Sequence, residues 1–347
     1  SCPASGLNLP AHFFASAGHA EVIADEAGAE GGLQGEQPGL DLAAAGLVAA
    51  GVVGQLHMGD ARQVLLQGQM AQAPIVDLLG GPARDRVPYS AYLFYKYAEH
   101  VGRPYAPDAW GEALAPAQLV AQARRMIDQY GFQSIKLKAG TLPPEQEAAG
   151  ILALAEAFPG TPLRIDPNGN WTVETSLKIV QQLRGVLEYY EDPAPGLDGM
   201  AAVARECDVP LATNMVVTDF AEFRRNADMG CPVKIVLSDH HYWGGLRATQ
   251  RLSTLCRTFD LGLSMHSNSH LGVSLVAMTH LCASVPLLTY ACDTHYPWQD
   301  EEVVEGGRLQ FEQGSLRAGT RLPPSREHAA SLGVSRNTVL WAVQRLD

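Results

Sequence analysis

From Val87 to about His295 the chain alternates between two hydrophobic periods. Short, nearly continuous apolar runs predict strands buried on both faces, the parallel type. Between them, apolar residues recur every three or four positions and predict amphipathic helices. Val87–Tyr95 reads as the first strand. Pro116–Tyr130 follows as a helix with its stripe at Leu119, Ala123, Met126 and Ile127. Pro116 suits a first helical position, where no backbone N–H is needed. Pro144–Phe158 repeats the pattern with Ile151, Leu154 and Ala155. Val173–Leu183 is a third helix, capped by Thr172 with Glu174 in its first turn. Further helices fit 199–206, 219–227, 244–259 and 269–283.

The pattern fades at both ends. Residues 1–86 are rich in Ala and Gly. Within them, 60–79 predicts one or two helices, and Ala73–Leu79 a short helix stopped by Gly80 and Gly81. After residue 314 the chain turns basic, with a helix over Ser325–Ser331, a turn at Gly333 and a second helix from Ser335. Eight strands alternating with about seven helices predict an α/β fold: a (β/α)7β TIM-like barrel over 87–314. A reduced capping region (1–86) precedes it and a partial helix-turn-helix (315–347) follows. An open doubly wound sheet would carry a glycine-rich phosphate turn after an early strand, and the sequence has none.

Composition narrows the function classes. A net charge of −12 argues against nonspecific nucleic-acid binding by the bulk of the 347 residues. The six cysteines (Cys2, Cys207, Cys231, Cys256, Cys282, Cys292) have no CxxC spacing and read as reduced core residues of a cytoplasmic protein. Neither a long apolar run nor a basic, apolar leader occurs, so the expectation is no membrane span and no signal peptide. A first residue of Ser reads as the start of a fragment.

The candidate chemistry lies where the apolar runs end. Ser134–Gly140 carries Lys136 and Lys138, and Leu163–Asn168 carries Asp166 and Asn168. Glu191, Asn214 and Asp239 close the next three runs, followed by His266 with Asn268 and then Asp293 with His295. A polar residue at the carboxyl end of each parallel strand is how a (β/α) barrel builds an active site. Asp166, Glu191 and Asn214 are hard oxygen donors on consecutive strands and suit Mg²⁺. Capping of the following helices is the alternative reading for each. Lys136 and Lys138, two apart, share one face of a strand. If that face is interior, repulsion and a nearby cation would lower one amine's pKa towards neutrality and make it a general base. If the strand is at an edge, both face solvent. Asp239 beside His266 would fix the imidazole's tautomer and orient it as acid or base.

These strand-end motifs resemble those of the enolase superfamily, and within it the glucarate dehydratase group. Lys-Leu-Lys, Asp-Pro-Asn-Gly-Asn-Trp, Glu-Asp-Pro, Ala-Thr-Asn-Met, Ser-Asp-His-His-Tyr-Trp, His-Ser-Asn-Ser-His and Asp-Thr-His-Tyr-Pro-Trp-Gln occur in that group's order. The resemblance implies Mg²⁺ on Asp166, Glu191 and Asn214. It makes Lys138 the base for one epimer, tuned by Lys136, and His266 with Asp239 the base for the other. Tyr92, Phe94, Asn168, Asn268, Asp293 and His295 would line the sugar-acid pocket. The implied reaction is dehydration of D-glucarate or a related aldarate to a keto-deoxy acid through α-proton abstraction and a metal-stabilised enediolate. Two departures accompany it. The usual three-stranded cap is not identifiable before Val87. Residues 319–347 resemble a GntR-type winged helix that stops before its wing, which would place Ser335, Arg336 and Asn337 against DNA. An aldarate-sensing regulator and a non-catalytic remnant therefore stand as alternatives, and a homo-oligomer is left open.

Overall fold

The structure, a computed structural model, describes residues 73–98, 109–267, 269–299, 302 and 308–319. The capping region up to residue 72, Asn268 and the helix-turn-helix segment from residue 320 lie outside the described residues. So does most of the 60–79 helical stretch; the part within them is α1 (Ile75–Leu78), followed by Gly80 and Gly81 at φ 106° and 92°.

Seven parallel strands lie side by side in chain order: β2 (Ala91–Phe94), β3 (Ile135–Lys138), β4 (Leu163–Asp166), β5 (Leu187–Glu191), β6 (Leu211–Thr213), β7 (Ile235–Ser238) and β8 (Gly262–Met265). Between them run α2 (Pro116–Tyr130), α3 (Pro144–Ala157), α4 (Val173–Gln182), α5 (Gly196–Ala204), α6 (Phe220–Asp228) and α7 (Leu246–Thr258), and α8 (Gly272–Ser284) follows β8. Each strand is short because both of its faces are covered. Leu93, Leu137 and Ile165 point outwards into the core shared with the helices. Tyr189, Ala212, Ile235 and Leu237 form a separate apolar cluster. Two helix starts follow from side-chain caps, with Thr175 N–H donating to Thr172 Oγ1 (3.1 Å) and Glu222 N–H to Asp219 Oδ1 (2.8 Å). No described helix is long and apolar enough to cross a membrane. The described cysteines form no disulfide, and all but Cys207 are buried.

The first predicted strand, Val87–Tyr95, is two elements. β1 (Arg86–Pro88) pairs antiparallel with β9 (Ser315–Arg317), while β2 joins the parallel sheet. Pro88 has no N–H to donate, which suits the break between them. The predicted eighth strand is not a full ladder. Asp293 N–H donates to Met265 O (2.9 Å) on one side, and Cys292 N–H donates to Pro88 O (2.8 Å) on the other. Residues 289–293 thereby join the two edges of the curled sheet. β9 begins at residue 315, where the sequence reading placed the start of the helix-turn-helix part.

Strand register sets the site. Tyr92, Lys136 and Arg164 are lateral neighbours, and so are Phe94, Lys138 and Asp166 one pleat higher. The two loops that follow Lys138 and Asp166 touch at Gly140, whose φ is +80° and whose missing Cβ would collide with the Pro167 carbonyl. Gly140→Ala is expected to cost about 3 kcal/mol by strain plus overlap, against about 1 kcal/mol for Gly160→Ala, which has the same φ but open space. Equilibrium denaturation of the two variants checks this difference.

Candidate active site

Lys136 is fully buried and central. Its ammonium donates to Glu191 Oε1 and Asp293 Oδ2, both at 2.6 Å, lies 3.4 Å from Asp166 Oδ2, and sits 4.6 Å above the Tyr92 ring. Burial disfavours its charge, but Asp293, Glu191 and Asp166 outweigh burial and hold its pKa well above the ordinary lysine value. Of the two amines, Lys136 is therefore not the one drawn towards neutrality. Three acids face it at contact distance, a stronger effect than repulsion from one neighbouring lysine. Lys138 is partly exposed at the rim and donates to Asp166 Oδ2 (2.6 Å) and Asn168 Oδ1 (2.7 Å). Both lysines face the interior.

Asp166 and Glu191 are fully buried at the ends of β4 and β5. Burial would raise the Asp166 carboxyl, yet Lys138 and Lys136 hold it well below the carboxylate range. Burial and the Asp166 charge push Glu191 well above it, against Lys136. None of the three predicted oxygen donors caps a helix. Glu191 Oε2 and Asn214 Oδ1 are buried without a hydrogen-bond partner among the described residues. An unpartnered buried acceptor is unfavourable unless a cation or water meets it. An all-oxygen donor set with two such atoms fits a hard divalent cation.

Asp192, which the sequence reading quoted only within Glu-Asp-Pro, joins Asp166 and Glu191 in a compact carboxylate group. Its own oxygens are already engaged. Thr213 Oγ1 donates to one, and the Asn214 N–H donates to the other at 3.0 Å. Burial and Asp166 push its carboxyl up to about 7. Asp192 thus anchors the turn that presents Asn214, and its signal was a second acid directly after the strand-end Glu.

Asp239 does not pair with His266 as expected. Its oxygens meet His241 Nδ1 (2.7 Å) and His270 Nε2 (3.3 Å). His266 Nδ1 is buried without a described hydrogen-bond partner. Two nearer imidazoles outcompete His266 for the same carboxylate, because His241 follows Asp239 by two residues in one tight turn. Burial raises the Asp239 carboxyl, but His270 and His241 reverse the effect and hold it well below its usual range. Burial and then the Lys136 charge push His266 well below the ordinary histidine value, so its imidazole is neutral and able to accept a proton. The signals for His240, His241 and His270 were the doubled histidine after Asp239 and the second histidine of His-Ser-Asn-Ser-His.

Aromatic rings line one side of the rim. Tyr92 stacks on Phe94 and on His295, each at 4.7 Å between ring centres. Trp298 Nε1 donates to Tyr92 O (2.8 Å) and covers the edge of Phe94. Burial and the two lysines lower His295 to about 3, leaving it neutral. Asn168 adopts φ 59°, with its N–H donating to Asp166 Oδ1 (2.9 Å). Every predicted site residue among the described ones thus lies at the carboxyl end of the sheet. A surface cavity of about 410 Å³, lined by Phe158, Pro162, Leu187 and Glu188, lies at the opposite end of β4 and β5 and holds no converging acid–base groups.

A curled parallel α/β sheet with lysines, acids and histidines at its carboxyl rim has the layout of a (β/α) barrel whose strand ends carry the site. Comparison with known proteins makes this specific. The Enolase C-terminal domain-like family model matches residues 118–323, more than half of the chain. The chain belongs to the enolase superfamily. It is 58% identical over 250 residues to a probable glucarate dehydratase of Streptomyces coelicolor, a stretch that is 72% of this chain and 58% of that protein. The chain thus spans well under two thirds of that relative's length. A solved enolase structure from Pseudomonas fluorescens Pf0-1, with bound magnesium, potassium and tartrate, is 56% identical with a TM-score of 0.72, covering 82% of this chain and 70% of its own. Another from Thermobispora bispora, with magnesium and formate, is 52% identical with a TM-score of 0.73, covering 82% and 66%.

Lys136→Met would leave Asp166, Glu191 and Asp293 buried without their shared cation, at an expected cost of about 3–5 kcal/mol near neutral pH. Without that cation, burial and mutual repulsion would raise the folded pKa values of Asp166 and Glu191 above the unfolded ones. The deficit should therefore shrink as pH falls and grow as pH rises through the raised values. Melting curves of the variant and parent across pH test both sign and size.

Proposed function

We propose that this chain is the barrel portion of an Mg²⁺-dependent hydro-lyase that dehydrates an acid sugar, D-glucarate or a related aldarate, to a keto-deoxy acid. The carrying observation is the placement of Lys138 at the end of β3 and His266 just after β8, on either side of the ends of β4 to β6, where the oxygen donors lie. Asp166, Glu191 and Asn214 would hold the cation, whose bound charge would stabilise the carboxylate of a deprotonated substrate. The relatives named above, one a probable glucarate dehydratase and others solved with magnesium, support this reading.

The chain's own residues supply the rest. Lys138 Nζ takes the proton from the carbon next to the carboxylate in one epimer, and the neutral His266 imidazole takes it in the other. His266, once it carries a proton, gives it to the departing hydroxyl, so that water leaves and the resulting enol becomes the keto acid. Lys136 keeps Asp166, Glu191 and Asp293 at fixed spacing and holds positive charge beneath the substrate. Asp239, held by His241 and His270, adds negative potential near His266. Tyr92, Phe94, His295 and Asn168, with Asn268 outside the described residues, line the sugar-acid pocket and limit water. A regulator that only senses an aldarate would draw on residues 319–347 for DNA contact, and no described side chain favours it.

Purified chain with Mg²⁺ should form keto acid from at least one aldarate and exchange the α-proton with deuterated solvent. Lys138→Ala and His266→Ala should each lower turnover by about 10²–10⁴-fold, and each should abolish exchange for one epimer only. Absence of both turnover and exchange across a panel of aldarates would overturn the proposal.

A further inference from the structure

Beside the carboxylate group lies a second cluster of a different chemical character. Asp239, His240, His241 and His270 each offer a ligand atom, and these atoms lie within 4.8 Å of one another. The ring centres of His240 and His241 are 4.1 Å apart, those of His241 and His270 4.9 Å, and those of His240 and His270 5.3 Å. His240 is 5% exposed and His270 1%. Both ring nitrogens of His240 and Nδ1 of His270 are buried without a hydrogen-bond partner among the described residues. A buried imidazole has one N–H and one bare nitrogen, and leaving both unmet is unfavourable in an interior that satisfies nearly all of its polar groups. The second-strand-end reading of Asp239 with His266 gives these three histidines no task.

We propose that Asp239, His240, His241 and His270 form a second metal site, selective for a divalent cation of the zinc class. Three nitrogens and one carboxylate oxygen suit zinc, cobalt or nickel, whereas Mg²⁺ prefers oxygen alone. Ligand atoms about 2.1 Å from a tetrahedral centre stand roughly 3.4 Å apart. His270 Nε2 is 3.3 Å from Asp239 Oδ2, His241 Nδ1 is 2.7 Å and His240 Nδ1 3.9 Å from Asp239 Oδ1. These contacts to the two Asp239 oxygens lie near the required spacing, and four ligand atoms within 4.8 Å of one another would draw together around an ion. The frame is already built. Tyr242 and Trp243 N–H donate to Asp239 O at 3.0 and 3.1 Å, and Gly245 N–H donates to His240 O at 2.8 Å, fixing the turn that carries three of the four ligands. His241 Nε2 meets Ser274 Oγ at 3.2 Å, the outer hydrogen bond that orients a metal-bound histidine through its other nitrogen. The His241 side chain is 17% exposed and gives an ion a way in.

The site is distinct from the proposed Mg²⁺ site and stands whether or not the chain is a dehydratase; it shares Asp239 with the proposed catalytic set, so an ion bound here would offset the negative potential that Asp239 otherwise places near His266. Its test uses Co²⁺ as the probe, added to the whole chain in excess Mg²⁺ so that the carboxylate group is already supplied. One Co²⁺ per chain is expected by native mass spectrometry, with the strong visible absorption of a four-coordinate nitrogen-rich centre. His240→Asn and His270→Gln should each weaken Co²⁺ binding by at least tenfold and change that absorption. Asp166→Asn, which alters the carboxylate group, should leave both unchanged. Near-ultraviolet circular dichroism of each variant separates loss of the site from loss of the fold; if the histidine variants unfold, imidazole-type scattering in the X-ray absorption of the parent's Co²⁺ decides the question. No bound Co²⁺ in excess Mg²⁺, or a signal lost in Asp166→Asn but kept in folded His240→Asn, would overturn the proposal, the latter by placing the ion on the carboxylates.

Discussion

One buried ammonium organises the molecule. Lys136 sits where β3 faces the inside of the curled sheet and is within 3.4 Å of carboxylate oxygens from β4, β5 and the 289–293 segment. Isolated, a buried ammonium would shed its proton, and isolated buried carboxylates would take one up. Here Lys136 keeps its charge and holds Asp166 ionised, while burial and the Asp166 charge still push Glu191 upwards. The same ion pairs set the spacing of Asp166 and Glu191 and hold Asp293 in place, and the Lys136 charge adds to burial in keeping His266 and His295 neutral. Arg164, the lateral neighbour of Lys136 on β4, repeats the theme. It binds Glu188 (2.7 Å), Ser90 Oγ and Ala291 O (both 2.8 Å), and lies over the Tyr189 ring. The interior of this sheet is half ionic lattice and half apolar cluster.

Much of the fold could be read from the sequence because its signals are local and repeat. The helix over Pro116–Tyr130 was placed to the residue, since Pro116 marks its start and Gly131, at φ 74°, its end. The other helix ends moved by up to three residues where capping side chains were weaker, as at α5, which starts from Gly196. The break between β1 and β2 was less visible. The apolar run through Pro88, Tyr89 and Ser90 is continuous, and only long-range partners, β9 and Cys292, reveal two elements. The last strand was legible as a motif but not as a ladder, because its pairing rests on a few bonds to two distant neighbours.

The site was legible at the level of which residues and less so at the level of which pairs. Strand-end position alone brought Lys136, Lys138, Asp166, Glu191, Asp239, His266 and Asp293 to one rim. Pairing is a competition among groups a few ångströms apart, which spacing along the chain cannot rank. Asp239 chose His241 and His270 over His266 for that reason, and Lys136 gained rather than lost basicity because the number of carboxylates reaching it is a three-dimensional count. Asp192 was overlooked because its work is done through a backbone N–H, which leaves no mark on residue type.

The junction at residues 289–293 has a consequence for the order in which the protein acquires its properties. Trp298 reaches back 206 residues to the carbonyl of Tyr92, and Asp293 reaches 157 back to Lys136. These are among the costliest loops to close, so contacts of this range form late. Until they form, the aromatic rim lacks His295 and Trp298, and the central ammonium lacks one of its counter-ions. Ring closure and charge balance are therefore a single event, and a half-made sheet is electrostatically unfinished as well as open-edged.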